Sequence, residues 1–141
     1  MTTKITSRTR GRAVAQVALG AAMLVAGTGH LTYQREEFRA QVPSWFPADP
    51  DLVVLLSGVV EIGFGAAMLT VWKQPWRARV GLLLALFFVA VFPGNIAQLT
   101  EHRDAFGLDT DTKRAVRLLF QPLLVLWAWL STRPRADVAG E

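Results

Sequence analysis

The sequence predicts an all-α integral membrane protein, a four-helix bundle with the N- and C-termini both cytoplasmic. Of its 141 residues, 52% are hydrophobic and only 18% are charged, whereas a soluble domain carries about a quarter charged residues. The apolar residues fall into four blocks, each close to the ~20 residues that a helix needs to cross ~30 Å of hydrocarbon. None of the blocks alternates with period two. Because only helices and closed barrels satisfy their backbone groups in lipid, four helices are predicted.

The four helices form a single predicted transmembrane domain, residues 13–132. They are expected at about residues 13–33, 52–72, 78–99 and 115–132. Residues 1–12 form a basic cytoplasmic tail, and residues 133–141 form the C-terminal cytoplasmic tail. The first block is longer than the 7–15 apolar residues of a signal peptide, and three further spans follow it, so we expect it to remain as an uncleaved helix.

The orientation follows from the distribution of lysine and arginine. With the N-terminus in the cytoplasm, the inside segments hold nine basic residues and the outside segments six, as the positive-inside rule requires. The inside loop 73–79 contains three basic residues and no acid. Trp72, Trp76, Trp127 and Trp129 then lie near the cytoplasmic interface and Trp45 near the outer one, where we expect them only to anchor the protein. The predicted location is the cell (cytoplasmic) membrane, with multiple spans.

Glu61 is the residue least suited to lipid. It lies ~13 Å below the outer end of the second helix at 1.5 Å per residue, where a carboxylate costs at least ~2.5 kcal/mol and must face the bundle or water. Ser57, Gly58 and Gly65 share its face, and small residues let a neighbouring helix approach closely. Two interpretations remain open: a protonated or hydrogen-bonded structural glutamate, and a carboxyl that handles a ligand or a proton.

The fourth helix carries Arg117 and Gln121 at i, i+4 spacing, so they share one face. An inward polar stripe is one interpretation, and Arg117 then approaches Glu61. The other is that Arg117 snorkels to the nearby interface. Pro122 frees the carbonyl of Leu118 and predicts a kink.

The third helix contains Phe92-Pro93-Gly94-Asn95 near its outer end. Pro93 frees the carbonyl of Val89 and Gly94 permits a bend, so an interruption or kink is predicted here. Asn95 either belongs to a binding site at the kink or sits near the interface as a structural residue.

Six polar residues from all four helices fall at a common depth, in the outer half of the membrane, whereas the inner half carries almost nothing polar. They predict one ligand-binding chamber, lined by His30, Ser57, Glu61, Asn95, Arg117 and Gln121. The loop above it contains Pro43, Trp45 and Pro47, a stiff segment that is either a lid over the chamber or an interfacial anchor.

Composition limits the cofactors. The absence of cysteine excludes disulfides, thiolate metal sites and iron–sulfur clusters. One membrane histidine, His30, cannot provide a bis-histidine haem site or a three-histidine zinc site. His102, the other histidine, falls in a loop. No metal, haem or dinucleotide site is therefore expected.

The motifs in order resemble the DoxX-like family of small four-helix bacterial membrane proteins. The resemblance runs from the first helix to the fourth. It rests on the following segments: Gly29-His30, Val42 to Pro47, Ser57 to Ile62, Arg77 and Arg79, Phe92 to Asn95, and Arg117 to Gln121. Family members usually read His-Phe, Phe-Pro-Ala-Asn and Arg-Leu-Pro-x-Gln, where this chain has Leu31, Gly94 and Leu119. The resemblance implies a link to thiosulfate:quinone oxidoreduction or to membrane complexes that handle redox stress.

Three functions are compatible with the sequence. The first is a ligand- or quinone-binding subunit of a membrane redox complex, in which a partner protein completes the reaction. The second is a non-catalytic accessory or assembly subunit, and the third is a small oligomeric transporter. The expected partners are membrane lipid, a partner membrane or redox protein and further copies of the chain, but not nucleic acid. The sequence leaves open whether the protein is an enzyme.

Overall fold

A computed structural model describes residues 7–135. The expected tail residues Lys4, Asp137 and Glu141, and the side chain of Arg8, lie outside the described part. Within it there are five helices and no strand: α1 (Ser7–Leu31), α2 (Arg35–Arg39), α3 (Pro50–Thr70), α4 (Trp76–Thr100) and α5 (Asp111–Thr132). All but α2 are long and apolar enough to cross a membrane. The predicted all-α architecture with four candidate spans is confirmed.

The long helices begin before the apolar blocks do, because their first turns are polar. At α3 the Asp49 carboxylate accepts from the backbone N–H groups of Asp51 (2.8 Å) and Leu52 (3.4 Å), which occupies two of the donors that a helix start leaves free. At α5 the Thr110 hydroxyl accepts from Lys113 N–H (3.2 Å). Residues 7–12, assigned to a tail from the sequence, are the first turns of α1.

The bundle has two unlike ends. The long-loop end carries residues 32–49 and 101–110, including α2, and the short-loop end carries residues 71–75. The start of α1 and the end of α5 meet at the short-loop end, where Arg12 Nε donates to Leu130 O (3.1 Å). Trp127 Nε1 also donates there, to Ala15 O (2.7 Å).

The four long helices form two close pairs. α1 packs most extensively against α3 and α4 against α5, whereas α3 and α4 barely touch. Glycines permit the close approach in the first pair: a Cβ at Gly27 would lie 2.7 Å from Gly58 O. The hydrophobic core joins the pairs through Leu19, Met23, Met68, Leu84, Ala85, Phe88 and Ala128. Beyond this core the two pairs separate toward the long-loop end.

The prolines do not interrupt their helices. α4 is continuous from Trp76 to Thr100 through Pro93, and α5 is continuous through Pro122. The predicted interruption of the third helix is therefore wrong, and the kinks expected at Pro93, Gly94 and Pro122 stay predictions. Membrane helices tolerate proline where the surrounding protein compensates for the lost hydrogen bond. Gln121 Nε2 donates to Phe88 O (2.6 Å), the carbonyl next to the Val89 carbonyl that Pro93 frees. Gly94 permits a close approach of the chain, because a Cβ there would collide with the backbone carbonyl of Gln41.

The expectation that the half near the short-loop end carries almost nothing polar is also wrong. Gln16 is 1% exposed; its Nε2 donates to Met68 O (2.8 Å) and its Oε1 accepts from Arg77 Nε (2.6 Å). Arg77 Nη2 donates to Ser131 O (2.9 Å). The carbonyls of Met68 and Ser131 belong to last turns of helices, which lack intrahelical partners, so these polar side chains complete the ends of α3 and α5.

Candidate functional site

A cavity of about 740 Å³ lies between the two helix pairs. Along α1 its wall extends from Leu19 to His30, a rise of about 16 Å. Its deeper part is lined by Leu19, Met23, Phe88, Leu124 and Trp127, and the part toward the long-loop end by polar side chains. All six polar residues expected to form a chamber line this one cavity: His30, Ser57, Glu61, Asn95, Arg117 and Gln121.

Glu61 and His30 meet on one wall of the cavity. His30 Nδ1 is 2.8 Å from Ala26 O and 3.1 Å from Glu61 Oε2. Because a carbonyl oxygen only accepts, Nδ1 carries the ring proton and directs it at Ala26. Glu61 is 9% exposed, and its Oε2 lies beside the ring without a hydrogen bond of good geometry. The carboxyl is thus buried and incompletely satisfied.

The pairing of Arg117 with Glu61 that the sequence suggested is not formed. Among the described residues Arg117 makes no ion pair or hydrogen bond, and its Nη1 atom is buried without a partner. The side chain is half-buried and also lines a smaller cavity of about 270 Å³, beside Lys113 and Phe120. Arg117 therefore places an unpaired donor between the two cavities.

Asn95 and Gln121 join α4 to α5 across the cavity. Asn95 is 5% exposed and Gln121 3%. Asn95 Nδ2 donates to Gln121 Oε1 (3.3 Å), and Gln121 Nε2 donates to Phe88 O. Asn95 Oδ1 is left buried without a partner.

The segment predicted as a lid lies partly over the cavity. Pro43 and Trp45 line it and Pro47 does not. The segment is tied to the bundle: Arg103 Nη1 donates to Val42 O (2.7 Å), and the Ser44 N–H donates to Glu101 Oε1 (3.3 Å). Hydrogen bonding from Ser44 lowers the pKa of Glu101 below its ordinary value, and the charge of Arg103 adds to this.

Five aromatic residues that line the cavity were not predicted as site residues: Phe38, Phe46, Phe88, Phe106 and Trp127. Phe38 of α2 stacks on the His30 ring (centroids 3.3 Å apart) and packs edge-on against Phe106. Trp127 was expected only to anchor the protein at an interface, yet it lines the deep part of the cavity. A lone phenylalanine among the charged residues of α2 was the one available signal for Phe38.

The cavity has the composition of a small-molecule site. Such sites usually measure about 300–1,000 Å³ and combine apolar walls with a few convergent polar groups. Across residues 7–135 no three histidine or acidic side chains are grouped closely enough to hold a metal ion. The arrangement offers hydrogen bonds, one cation and one buried carboxyl to a ligand.

Comparison with known proteins adds the family. No curated protein and no solved structure matches the chain significantly. A family model described as a domain of unknown function, DUF8561, matches residues 19–132, which include all four long helices from Leu19 onward, and the chain therefore belongs to this family.

Proposed function

We propose that this protein binds one small amphipathic molecule in the cavity between its helix pairs. The observation that carries the proposal is a set of three buried atoms on the cavity wall that have no hydrogen-bond partner. They are Glu61 Oε2, which lies beside the His30 ring, Asn95 Oδ1 and Arg117 Nη1. Leaving a buried polar group unsatisfied costs about 1–3 kcal/mol. The fourth such atom in the described part, Arg35 Nε, lies 3.8 Å from Asp51 Oδ1 and outside the cavity.

The polarity of the cavity orients the ligand. Its polar side chains lie toward the long-loop end and its apolar wall continues to Leu19 and Trp127. An amphipathic molecule places its head group beside Glu61 and Arg117 and its apolar portion against the deeper wall. A quinone, in one of its redox states, is the specific ligand class in this proposal: Arg117 donates to a ring oxygen, and Glu61 exchanges a proton. A partner protein supplies or removes the electrons.

The proposal includes an orientation and a family relation. The excess of basic residues at the short-loop end supports termini in the cytoplasm and a location in the cell membrane. The polar end of the cavity then lies in the outer half of the bilayer. The order of the His30, Glu61, Pro93 and Arg117 motifs supports a distant relation to DoxX-like proteins.

The test is to identify what the protein carries. The wild type, Glu61→Gln and Glu36→Gln are purified from membranes in mild detergent, and their extracted small molecules are analysed by absorbance and mass spectrometry. Glu36 is exposed on α2 and does not line the cavity, so Glu36→Gln is a matched control. We expect a near-stoichiometric molecule in the wild type and in Glu36→Gln. Glu61→Gln should remain folded and lose the molecule by about tenfold or more, as for removal of a hydrogen bond to a charged group, with its melting temperature lowered by the stabilisation that the ligand supplied.

Other outcomes contradict the proposal. An empty wild-type cavity with a co-purifying protein indicates an accessory or assembly subunit, the alternative function. Equal occupancy in all three proteins, or a Glu61→Leu variant with unchanged occupancy, removes Glu61 from the site. A small oligomeric transporter is the third candidate, and a ligand that exchanges across the membrane in vesicles would indicate it.

A further inference from the structure

The orientation of the Asn95 amide is fixed by a chain of hydrogen bonds that starts at a backbone carbonyl. Phe88 O accepts only, so the Gln121 atom 2.6 Å from it is the nitrogen, Nε2. Gln121 therefore presents its oxygen to Asn95. Asn95 therefore donates to it from its own nitrogen, Nδ2, and the Asn95 atom left unpaired is the acceptor, Oδ1. A flipped amide would place two oxygens against each other.

The neighbouring cavity group is an obligate donor. Arg117 precedes Gln121 by four residues on α5 and shares its face, and its guanidinium has donors and no acceptor. The Glu61 carboxyl, by contrast, accepts when ionised and also donates when protonated, so it does not discriminate between ligands. Asn95 and Arg117 both line the cavity, and they offer it one buried acceptor and one donor without partners.

We propose that the head group of the ligand carries a hydroxyl group, which donates to Asn95 Oδ1 and accepts from Arg117. This inference rests on the proposed function, since it concerns the same cavity. A hydroxyl is the smallest group that both donates and accepts. A head group with acceptors alone, such as an ether, a ketone or a fully oxidised quinone, leaves Asn95 Oδ1 buried and unpaired. Sites built to pair with a substrate hydroxyl reject analogues that lack it more strongly than apolar pockets reject a changed methylene group.

The experiment compares two probes that differ in one hydrogen-bond donor. 4-Hexylphenol donates and accepts, whereas 4-hexylanisole, its methyl ether, only accepts. Binding of each is measured by equilibrium dialysis to the full-length protein in lipid nanodiscs, with empty nanodiscs subtracted for partition into lipid. The same measurements are made on Asn95→Leu, which keeps the branched arrangement of heavy atoms, with larger methyl groups, and has no acceptor. Any steric effect of the extra methyl group persists in this variant, so the change in the ratio isolates the donor.

We expect the wild type to bind the phenol at least about fivefold more tightly than the ether, and Asn95→Leu to lose this preference, as for one buried acceptor left unpaired. Gln121→Leu releases the Asn95 amide from its fixed orientation and should also weaken the preference for the phenol. This variant replaces Asn95→Leu in the test if Asn95→Leu does not fold. Equal binding of the two probes by the wild type, or a ratio unchanged in both variants, overturns the inference while the cavity remains a binding site. Failure of the wild type to bind either probe overturns the proposed function as well.

Discussion

At the residue scale, buried polar groups on the cavity wall differ from those elsewhere in the bundle. Gln16 and Thr132, both within the most buried side chains, hydrogen-bond to backbone carbonyls. Arg114, 5% exposed, donates to Arg103 O (3.0 Å) and Asp111 Oδ1 (2.7 Å) and also pairs with Asp104. Satisfied partners are the rule for buried polar groups. Three of the four departures in the described part line the cavity, where we propose that a ligand pairs with them.

The contact between Glu101 and Ser44 predicts a pH dependence. Because this contact lowers the pKa of Glu101 from 4.5, its stabilisation is complete above that value and is lost as the pH falls through the lowered pKa of the folded protein. We expect wild type to melt at a higher temperature than Glu101→Gln near neutral pH. The difference should shrink as the pH is lowered below about 4.5, as measured by differential scanning fluorimetry in detergent.

Glu36→Gln controls for the general effect of removing one acid from this end of the molecule. Its melting temperature should follow that of wild type across the same pH range, because no hydrogen bond or ion pair holds Glu36 in the described part. A constant difference between wild type and Glu101→Gln at every pH would mean that Glu101 acts through packing alone.

At the element scale, the pairing of α1 with α3 depends on which glycine faces inward. A Cβ at Gly58 would lie 2.7 Å from His30 Cβ and 2.9 Å from Gly27 O, whereas a Cβ at Gly63 on the same helix meets nothing within 4 Å. We expect Gly58→Leu to destabilise the protein by about 1–3 kcal/mol, as overpacking typically does. Gly63→Leu, the matched control, should leave the melting temperature close to that of wild type.

Ligand content gives a second measurement for the same pair of variants. Because Gly58 packs against His30, a leucine there displaces the wall that holds Glu61, and Gly58→Leu should lose the bound molecule while Gly63→Leu retains it. Equal destabilisation by the two substitutions would show that α1 and α3 do not approach through Gly58.

The short helix α2 could not be predicted from the local sequence pattern, because it depends on contacts with other parts of the chain. A helix of five residues has too few internal hydrogen bonds to form by itself. Here Phe38 fixes it by stacking on His30, and the Glu37 carboxylate accepts from Phe106 N–H (2.9 Å). Phe106 lies 69 residues from Glu37 along the chain, so only the folded arrangement reveals the element.

At the scale of the whole molecule, the sequence predicts the spans and the chamber residues for the same reason: hydrocarbon penalises polar groups. Block length predicts the four long helices, and the rarity of residues such as Glu61 and Asn95 within the blocks marks the cavity wall. The hydrogen-bond partners of the polar side chains cannot be predicted from the sequence in this way. Gln16 and Arg77 lie near helix ends, where free carbonyls accept them. Nothing in the spacing indicated that His30 would lie beside Glu61 and Arg117 would remain unpaired.

Orientation in the membrane is the last property to test, and the chain suits the test because it has no cysteine. Asp109→Cys reports on the long-loop end and Pro134→Cys on the short-loop end. Both positions are exposed, and neither substitution alters the count of basic residues that sets the orientation. In intact cells, a membrane-impermeant maleimide should label Asp109→Cys and should reach Pro134→Cys only after permeabilisation.

The predicted orientation places nine basic residues in the cytoplasmic segments and six in the outer segments. Because this difference is small, the strongest support for the orientation is the short loop 73–79. Short loops follow the positive-inside rule more faithfully than long ones, and this one has only basic charges. The reverse labelling pattern would show that the protein has the opposite orientation in the membrane. The polar end of the cavity would then lie in the cytoplasmic half, and a redox partner would have to reach Glu61 and Arg117 from the cytoplasm.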